Sequence, residues 1–323
     1  MKHWQCLGIA ILGLTQALSS QAQTWPAPGR ELKVIVGYPP GSGADTSVRF
    51  YSAKLAEVSG HPVIVENRAG MISSLGADAV AKATPDGYTI LLTSASSSHA
   101  ANLVLFKKVP YDPVKDFTPV TTMYRTTFFL MVNAGSPHRS VASLTEALRS
   151  AGTKASYGYG SPPALAAAEF YKNRAGLQTV GIAYKSSAAS LSEMYTGALD
   201  FQFIDATFAT QQMRAGKLRG LAITSPQRSS LIDLPTMAEA ANIPEFDIAP
   251  WWGVFLPAGA PPHVVSRLEA WFNQIGTLEA TKKYLAGNGA EVFPGNQKVL
   301  AEALQREIRK WQELAKIANI QPE

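Results

Sequence analysis

The sequence predicts an α/β fold in two lobes with a ligand cleft between them. Three observations carry the prediction. Short apolar runs alternate with helical stretches in two separate sets, a later strand reads as a return to the first set, and 323 residues exceed what a single core usually serves. An apolar content of 46% with 16% charged residues excludes a disordered chain, and 25 Gly with 21 Pro and no fixed period exclude a collagen.

The chain opens on a leader. Lys2 and His3 precede an apolar run from Leu7 to Leu14, and Ser20 and Ala22 occupy the minus-three and minus-one places of a cut after Ala22. That run is too short for a bilayer, so residues 1–22 read as a secretory signal peptide, and no later stretch is long enough to cross a membrane. Cys6, the single cysteine, precedes the apolar run, whereas a lipid-attachment cysteine would follow it. The mature chain therefore has no cysteine for a thiol enzyme, a disulfide framework or a thiolate zinc site.

The first set starts with a strand at Lys33–Val36 and a loop, Gly37 to Gly43. A helix follows, with Asp45 as its cap and Val48, Tyr51, Leu55 and Val58 at helical spacing. Then come a strand at Pro62–Glu66, a helix over Ala77–Ala83, a turn at Pro85-Asp-Gly87 and a strand at Tyr88–Leu92 that runs into Thr93–Ser98. This order implies right-handed crossovers and a mostly parallel sheet.

The second set begins at Phe128–Val132, with a helix capped by Ser143 after it. It continues through a strand at Ala155–Gly158, a helix at Ala164–Arg174, and strands at Val180–Ala183 and Asp200–Ile204 around a helix ending near Gly197. A helix at Phe208–Ala215 and a strand at Leu218–Thr224 complete it. Trp251–Leu256 then reads as the returning strand. The last helix starts after Asn296 and keeps Leu300, Leu304, Ile308, Trp311, Ala315 and Ala318 on one face, so it should dock. The expected division is residues 23–122 with 248–323 in one lobe and 123–247 in the other. Two connections between lobes make a hinge.

A formal charge of +5 without a Lys/Arg run argues against nucleic acid and suits a small anionic ligand. Catalytic signatures are missing. Gly158-Tyr-Gly-Ser-Pro162 has Gly where a nucleophile elbow needs Ser, Gly41-Ser-Gly43 lacks the third glycine of a dinucleotide loop, and there is no P-loop. His3, His61, His99, His138 and His263 stand apart, read as lone surface histidines, and no metal or other cofactor is expected. Three small-residue loops remain at strand C-terminal ends: Tyr38–Asp45, Thr93–Ser98 and Tyr157–Pro163. Ligands of open α/β sheets bind there, and backbone N–H groups at helix starts favour a carboxylate.

On these residues the sequence resembles the Bug-type periplasmic solute receptors of tripartite tricarboxylate transporters. The matching stretches are Val36–Asp45, Pro62–Arg68, Ala83–Leu92, Val109–Pro113 through Asp116–Val120, Tyr184-Lys185, Gly216–Arg219, Leu234–Thr236 and Trp252-Gly253. They keep their order over nearly the whole mature chain. The resemblance implies a two-lobe periplasmic-binding-protein fold of the type II kind, without catalysis. It further implies a periplasmic monomer that captures an organic carboxylate and delivers it to integral membrane permease subunits.

Such receptors hold carboxylates with backbone amides, hydroxyls and water. By resemblance, Tyr38, Gly41, Ser42, Gly43, Ala44, Asp45, Ser94, Ala95 and Ser96 line one wall of the cleft. Tyr157, Tyr159, Ser161, Tyr184, Lys185 and Asp205 line the other. Rival readings make Asp45 a helix cap, Tyr184 a core residue and Lys185 part of a solvated face. Two departures from the family stand out. Tyr157–Pro163 is shorter and more aromatic than the glycine-rich family loop, and Tyr184-Lys-Ser186 replaces Tyr-Lys-Gly. Tyr159 accordingly points to an aromatic carboxylate such as terephthalate. The competing functions are a ligand sensor for a membrane kinase and a hydrolase using Ser161 or Ser96, for which no His–Asp pair can be assigned.

Overall fold

The computed structural model describes residues 25–229, 231–317 and 320–322. The expected leader with Cys6, its cut after Ala22, His3 and Ala318 lie outside them. The first half of the fold follows the apolar pattern closely. Strand β1 (Leu32–Val36) is buried at Leu32, Val34, Ile35 and Val36, as a central strand covered on both faces must be. Helix α1 (Gly43–Ser59) turns Val48, Tyr51 and Leu55 inward. Its cap is Ser42, whose Oγ accepts the Asp45 N–H at 3.2 Å; Asp45 sits in the first turn instead.

Strand β2 (Val63–Asn67), helix α2 (Ser74–Ala81) and strand β3 (Thr89–Ser94) complete the first unit. The serine run then winds into a buried π-helical turn, Ser96–Ala101, ahead of α3 (Asn102–Leu105). Strand β4 (Phe117–Thr126) follows, and was not legible in the sequence. Late in the chain β10 (Trp251–Pro257) inserts between β3 and β4, antiparallel to both, and β11 (Ala290–Val292) pairs antiparallel with β4. The six-stranded order is β11-β4-β10-β3-β1-β2. Only β1, β2 and β3 are mutually parallel here, so the sheet is mixed and not mostly parallel.

The second sheet holds β5 (Phe128–Asn133), β6 (Ser156–Tyr159), β7 (Val180–Ala183), β8 (Phe201–Asp205) and β9 (Leu218–Ile223), in the order β7-β6-β8-β5-β9. Its helices are α4 (Val141–Ala151), α5 (Pro162–Ala175), α6 (Leu191–Thr196) and α7 (Ala206–Arg214), with the short α8 (Met237–Ala240) in the return segment. Ser140, not Ser143, caps α4.

The chain crosses between sheets twice. Tyr124–Thr126 stay paired with β10 and β11, so the first crossing between the sheets falls at Thr127. The return runs from Ile223 to Trp251. At the crossing the Thr224 hydroxyl accepts the Phe128 N–H at 2.9 Å and donates to the Ile248 carbonyl at 2.6 Å, while Thr127 Oγ1 accepts the Ser225 N–H at 3.0 Å.

Three helices close the chain: α9 (Pro262–Thr277), α10 (Glu279–Gly287) and α11 (Gln297–Ile317). The docked face of α11 is shared between sheets. Leu300, Ala303 and Leu304 join Phe255 and Trp251 of the first, while Trp311 and Leu314 join Phe203 of the second and Phe246 of the return segment.

Candidate functional site

The C-terminal ends of β1 and β3 form one wall. Tyr38 follows β1, with its ring 5.6 Å from Trp252, which in turn stacks on Tyr124 at 5.5 Å. The Tyr38 hydroxyl faces the hydroxyls of Ser97, Ser94 and Thr93, and burial pushes its pKa up to about 12, so it remains a proton donor. Below it the Gly41–Asp45 turn holds itself in place. Asp45 accepts the Gly41 N–H at 2.9 Å, Arg49 Nε at 3.0 Å and Asn67 Nδ2 at 2.8 Å. Burial raises the Asp45 carboxyl pKa, but the bonds from Arg49, Asn67 and Gly41 outweigh it and leave the group below its ordinary value. Ser42 is engaged with Pro39 O and Asp45 N. The first-turn N–H groups of Gly43 and Ala44 have no intrahelical acceptor and are what this turn can offer an anion.

Ser94 reaches the Tyr38 hydroxyl, whereas Ala95 and Ser96 turn inward. All three are buried; Ala95 belongs to an apolar cluster and Ser96 Oγ accepts the Trp251 N–H at 3.4 Å. The tight π-turn packs the run inward, and Ser97, inside the expected Thr93–Ser98 loop but not among the expected wall residues, joins Ser94 near Tyr38. His99 is not a surface residue either. It is fully buried, stacked 4.2 Å from Phe255, with Nδ1 2.8 Å from Ser98 Oγ and no partner for Nε2. Burial pushes its pKa down to about 3.

The second wall comes from the ends of β6, β7 and β8. Tyr157 contributes no side chain to it: its ring is fully buried, stacks on Phe201, and its hydroxyl donates to Glu169. Strand alternation puts Tyr159 on the same side as Tyr157, 6.2 Å between rings, but at the strand end it is half-buried. Ser161 precedes Pro162 and Pro163 at the start of α5 and makes no capping bond. Two prolines remove two N–H groups from this helix start, which weakens it as an anion cradle.

Tyr184 is half-buried. Its hydroxyl donates to Glu193 at 2.7 Å, and burial and then Glu193 push its pKa up to about 12. Lys185 is exposed. Gly160 has no room for a Cβ, which would fall 2.2 Å from the Ser186 carbonyl carbon, so the loops after β6 and β7 stack backbone on backbone. Asp205 caps α7 by accepting the Phe208 N–H at 3.0 Å, and burial raises its carboxyl pKa. Beside it Thr207 Oγ1 donates to Asn288 O at 3.0 Å, tying the second sheet to the α10–β11 turn.

The expected residues are thus arrayed along strand ends and not around an enclosed cavity. Two pockets lie elsewhere, one at the crossing beside Thr127 and Ser225, the other behind the first sheet between β4 and α9. Among the described residues no cluster of three or more His, Cys, Asp or Glu could hold a metal, and no helix is long and apolar enough to cross a membrane.

Two mixed α/β sheets, joined by a double crossing and carrying loops of hydroxyls and helix starts at their strand ends, define a two-lobed solute-binding protein. The chain belongs to the TctC family, the tripartite tricarboxylate transporter family receptors, whose model matches residues 48–320. It is 34% identical over 312 residues to a UPF0065 protein in the tcbD-tcbE intergenic region of Pseudomonas sp. strain P51, covering 95% of this chain and 91% of that one. Protein BugT of Bordetella pertussis is 30% identical, covering 94% of each chain. The solved R. palustris Rpa4515 with adipate is 30% identical at a TM-score of 0.81, covering 93% of this chain and 100% of that one.

Proposed function

We propose that this protein is a periplasmic, non-catalytic receptor that captures an organic dicarboxylate between two lobes and delivers it to a tripartite tricarboxylate-type permease in the membrane. One lobe is built on the six-stranded sheet and the other on the five-stranded sheet. The observation that carries the reading is the meeting of the Tyr38 hydroxyl with those of Thr93, Ser94 and Ser97 beside the open start of α1. That set offers neutral donors, which suit a carboxylate that must also be released.

Against hydrolysis, the closest serine–imidazole pair at this wall, Ser98 with His99, is sealed in the core, and its imidazole is held neutral there. For the ligand, adipate in the R. palustris relative supports two carboxylates. The half-buried Tyr159 at the end of β6 and the Tyr38 ring on the other wall support an aromatic ligand, hence terephthalate.

A thermal-shift panel of the mature protein with terephthalate, adipate and citrate tests this. A ligand at about a hundred times its Kd stabilises by about 2.7 kcal/mol, a clear rise in Tm. Terephthalate giving the largest rise is the expected outcome. A response to citrate alone discards the aromatic ligand and keeps the receptor, and a flat panel discards carboxylate capture.

A further inference from the structure

We infer that Met71 and Ile72 are specificity-determining residues of the carboxylate cleft, presented by a left-handed turn to the apolar body of the ligand. The inference rests on the receptor reading above. Met71, Ile72 and Ser73 follow one another with φ of 45°, 50° and 71°, after Gly70 at 139°. Side chains other than Gly, Asn and Asp rarely adopt this region, and a β-branched Ile there is an outlier. Strain of this kind persists where the surroundings enforce it, and it gathers at ligand clamps.

The surroundings do enforce it. Asn102 is fully buried, and its Nδ2 reaches Ile72 O at 2.9 Å, Met71 O at 3.3 Å and Ser74 Oγ at 2.7 Å. Ser73 Oγ lies 3.1 Å from Thr93 Oγ1, one of the hydroxyls grouped around Tyr38. A glycine would take this backbone without strain, so the side chains at 71 and 72 are retained against a conformational cost.

They do not repay it in the core. Met71 is 39% exposed, Ile72 is half-buried, and neither joins any of the four buried apolar clusters. The turn is placed to meet ligand instead. It follows β2 at the same C-terminal strand ends as the Tyr38 loop, and its last residue packs at the base of that loop: a Cβ on Gly37 would fall 1.9 Å from Ser73 Oγ, and one on Gly76 2.8 Å from Gly37 Cα, which sets Ile72 and Met71 one and two residues from that contact. The chemistry that fits is a carboxylate with a ring or several methylenes, against a short hydroxylated acid.

The test pairs two readouts on the full mature chain. Met71→Gly/Ile72→Gly and Met71→Asn/Ile72→Asn both relieve the left-handed backbone and remove the apolar surface. Each is expected to keep or raise Tm while weakening terephthalate and adipate by about tenfold or more and leaving malate unchanged, by calorimetric titration. Unchanged affinity for all three acids overturns the inference and makes the turn purely structural. An equal loss for all three, malate included, also overturns it. Wild-type protein that binds no carboxylate fails the receptor reading itself, before any variant is compared.

Discussion

Burial of His99 couples the stability of the first sheet to pH. In the unfolded chain its imidazole titrates near the ordinary 6.5; in the fold, wedged between Phe255 and Phe117, it titrates at about 3. Between those values the unfolded chain binds a proton that the native one refuses. The stability is therefore fully present above 6.5 and declines as pH falls toward 3, by up to about 1.4 kcal/mol per pH unit. Carboxylates add their own acid dependence, so the measurement is a difference: urea unfolding of wild type and His99→Phe from pH 7 to pH 4. The variant is expected to lose less stability over that range. Parallel curves would mean the imidazole is accessible to protons in the native state.

Helix α11 acts as a brace across both sheets. Its first turns bury Leu300 and Leu304 against β10, its later turns bury Trp311 and Leu314 in the second sheet's core, and Glu307 between them accepts Trp251 Nε1 at 3.4 Å and Lys310 Nζ at 2.9 Å. Trp311→Ala is expected to cost about 3–5 kcal/mol, read by chemical denaturation, because the indole is 2% exposed and packed in the second sheet's core cluster. A loss below 1 kcal/mol would show that α11 packs on the first sheet alone. The docking of this helix was legible from its 3.6-residue stripe, yet its division between two cores was not, since a stripe says that a face is buried and not against what. Strand β4 was illegible for another reason: Pro119 interrupts a run of threonines, and only the neighbours β10 and β11, far along the chain, make a strand of it. The loop from Tyr38 into α1 was legible as a loop at a strand end, because Pro-Pro-Gly after an apolar strand stops regular structure. Ala95, Ser96 and Tyr157 turn into the core, because small residues and aromatics serve a core as readily as a ligand, and face assignment needs the register. The Met71–Ser73 turn left no sequence signal, for its residues contradict its backbone.

At the scale of the molecule, the proposed receptor would pivot at the crossing of Thr127 and Thr224. Rotation there must leave the local bonds intact while the loops after β1, β3, β6 and β7 approach one another. The Thr224 hydroxyl holds three passing segments at once: it accepts from Phe128 where the chain enters the second sheet and donates to Ile248 where it leaves, and Thr127 Oγ1 is 3.2 Å away and accepts the N–H of Ser225. Thr127, Phe128, Thr224 and Ile248 are buried, so the bonds of the Thr224 hydroxyl are not readily exchanged for water. Thr224→Val keeps the shape, leaves a buried donor and a buried acceptor unpaired, and is expected to cost about 1–3 kcal/mol. Combined with Thr127→Val in a double-mutant cycle, the two should couple by about 0.5 kcal/mol or more, because they share one network. Since neither residue belongs to the ligand loops, any accompanying change in ligand affinity reports the balance between open and closed forms, which X-ray scattering of free and liganded protein measures directly. Additive losses with unchanged scattering would move the pivot away from these threonines, to the contact of Thr207 with Asn288 or to the brace of α11.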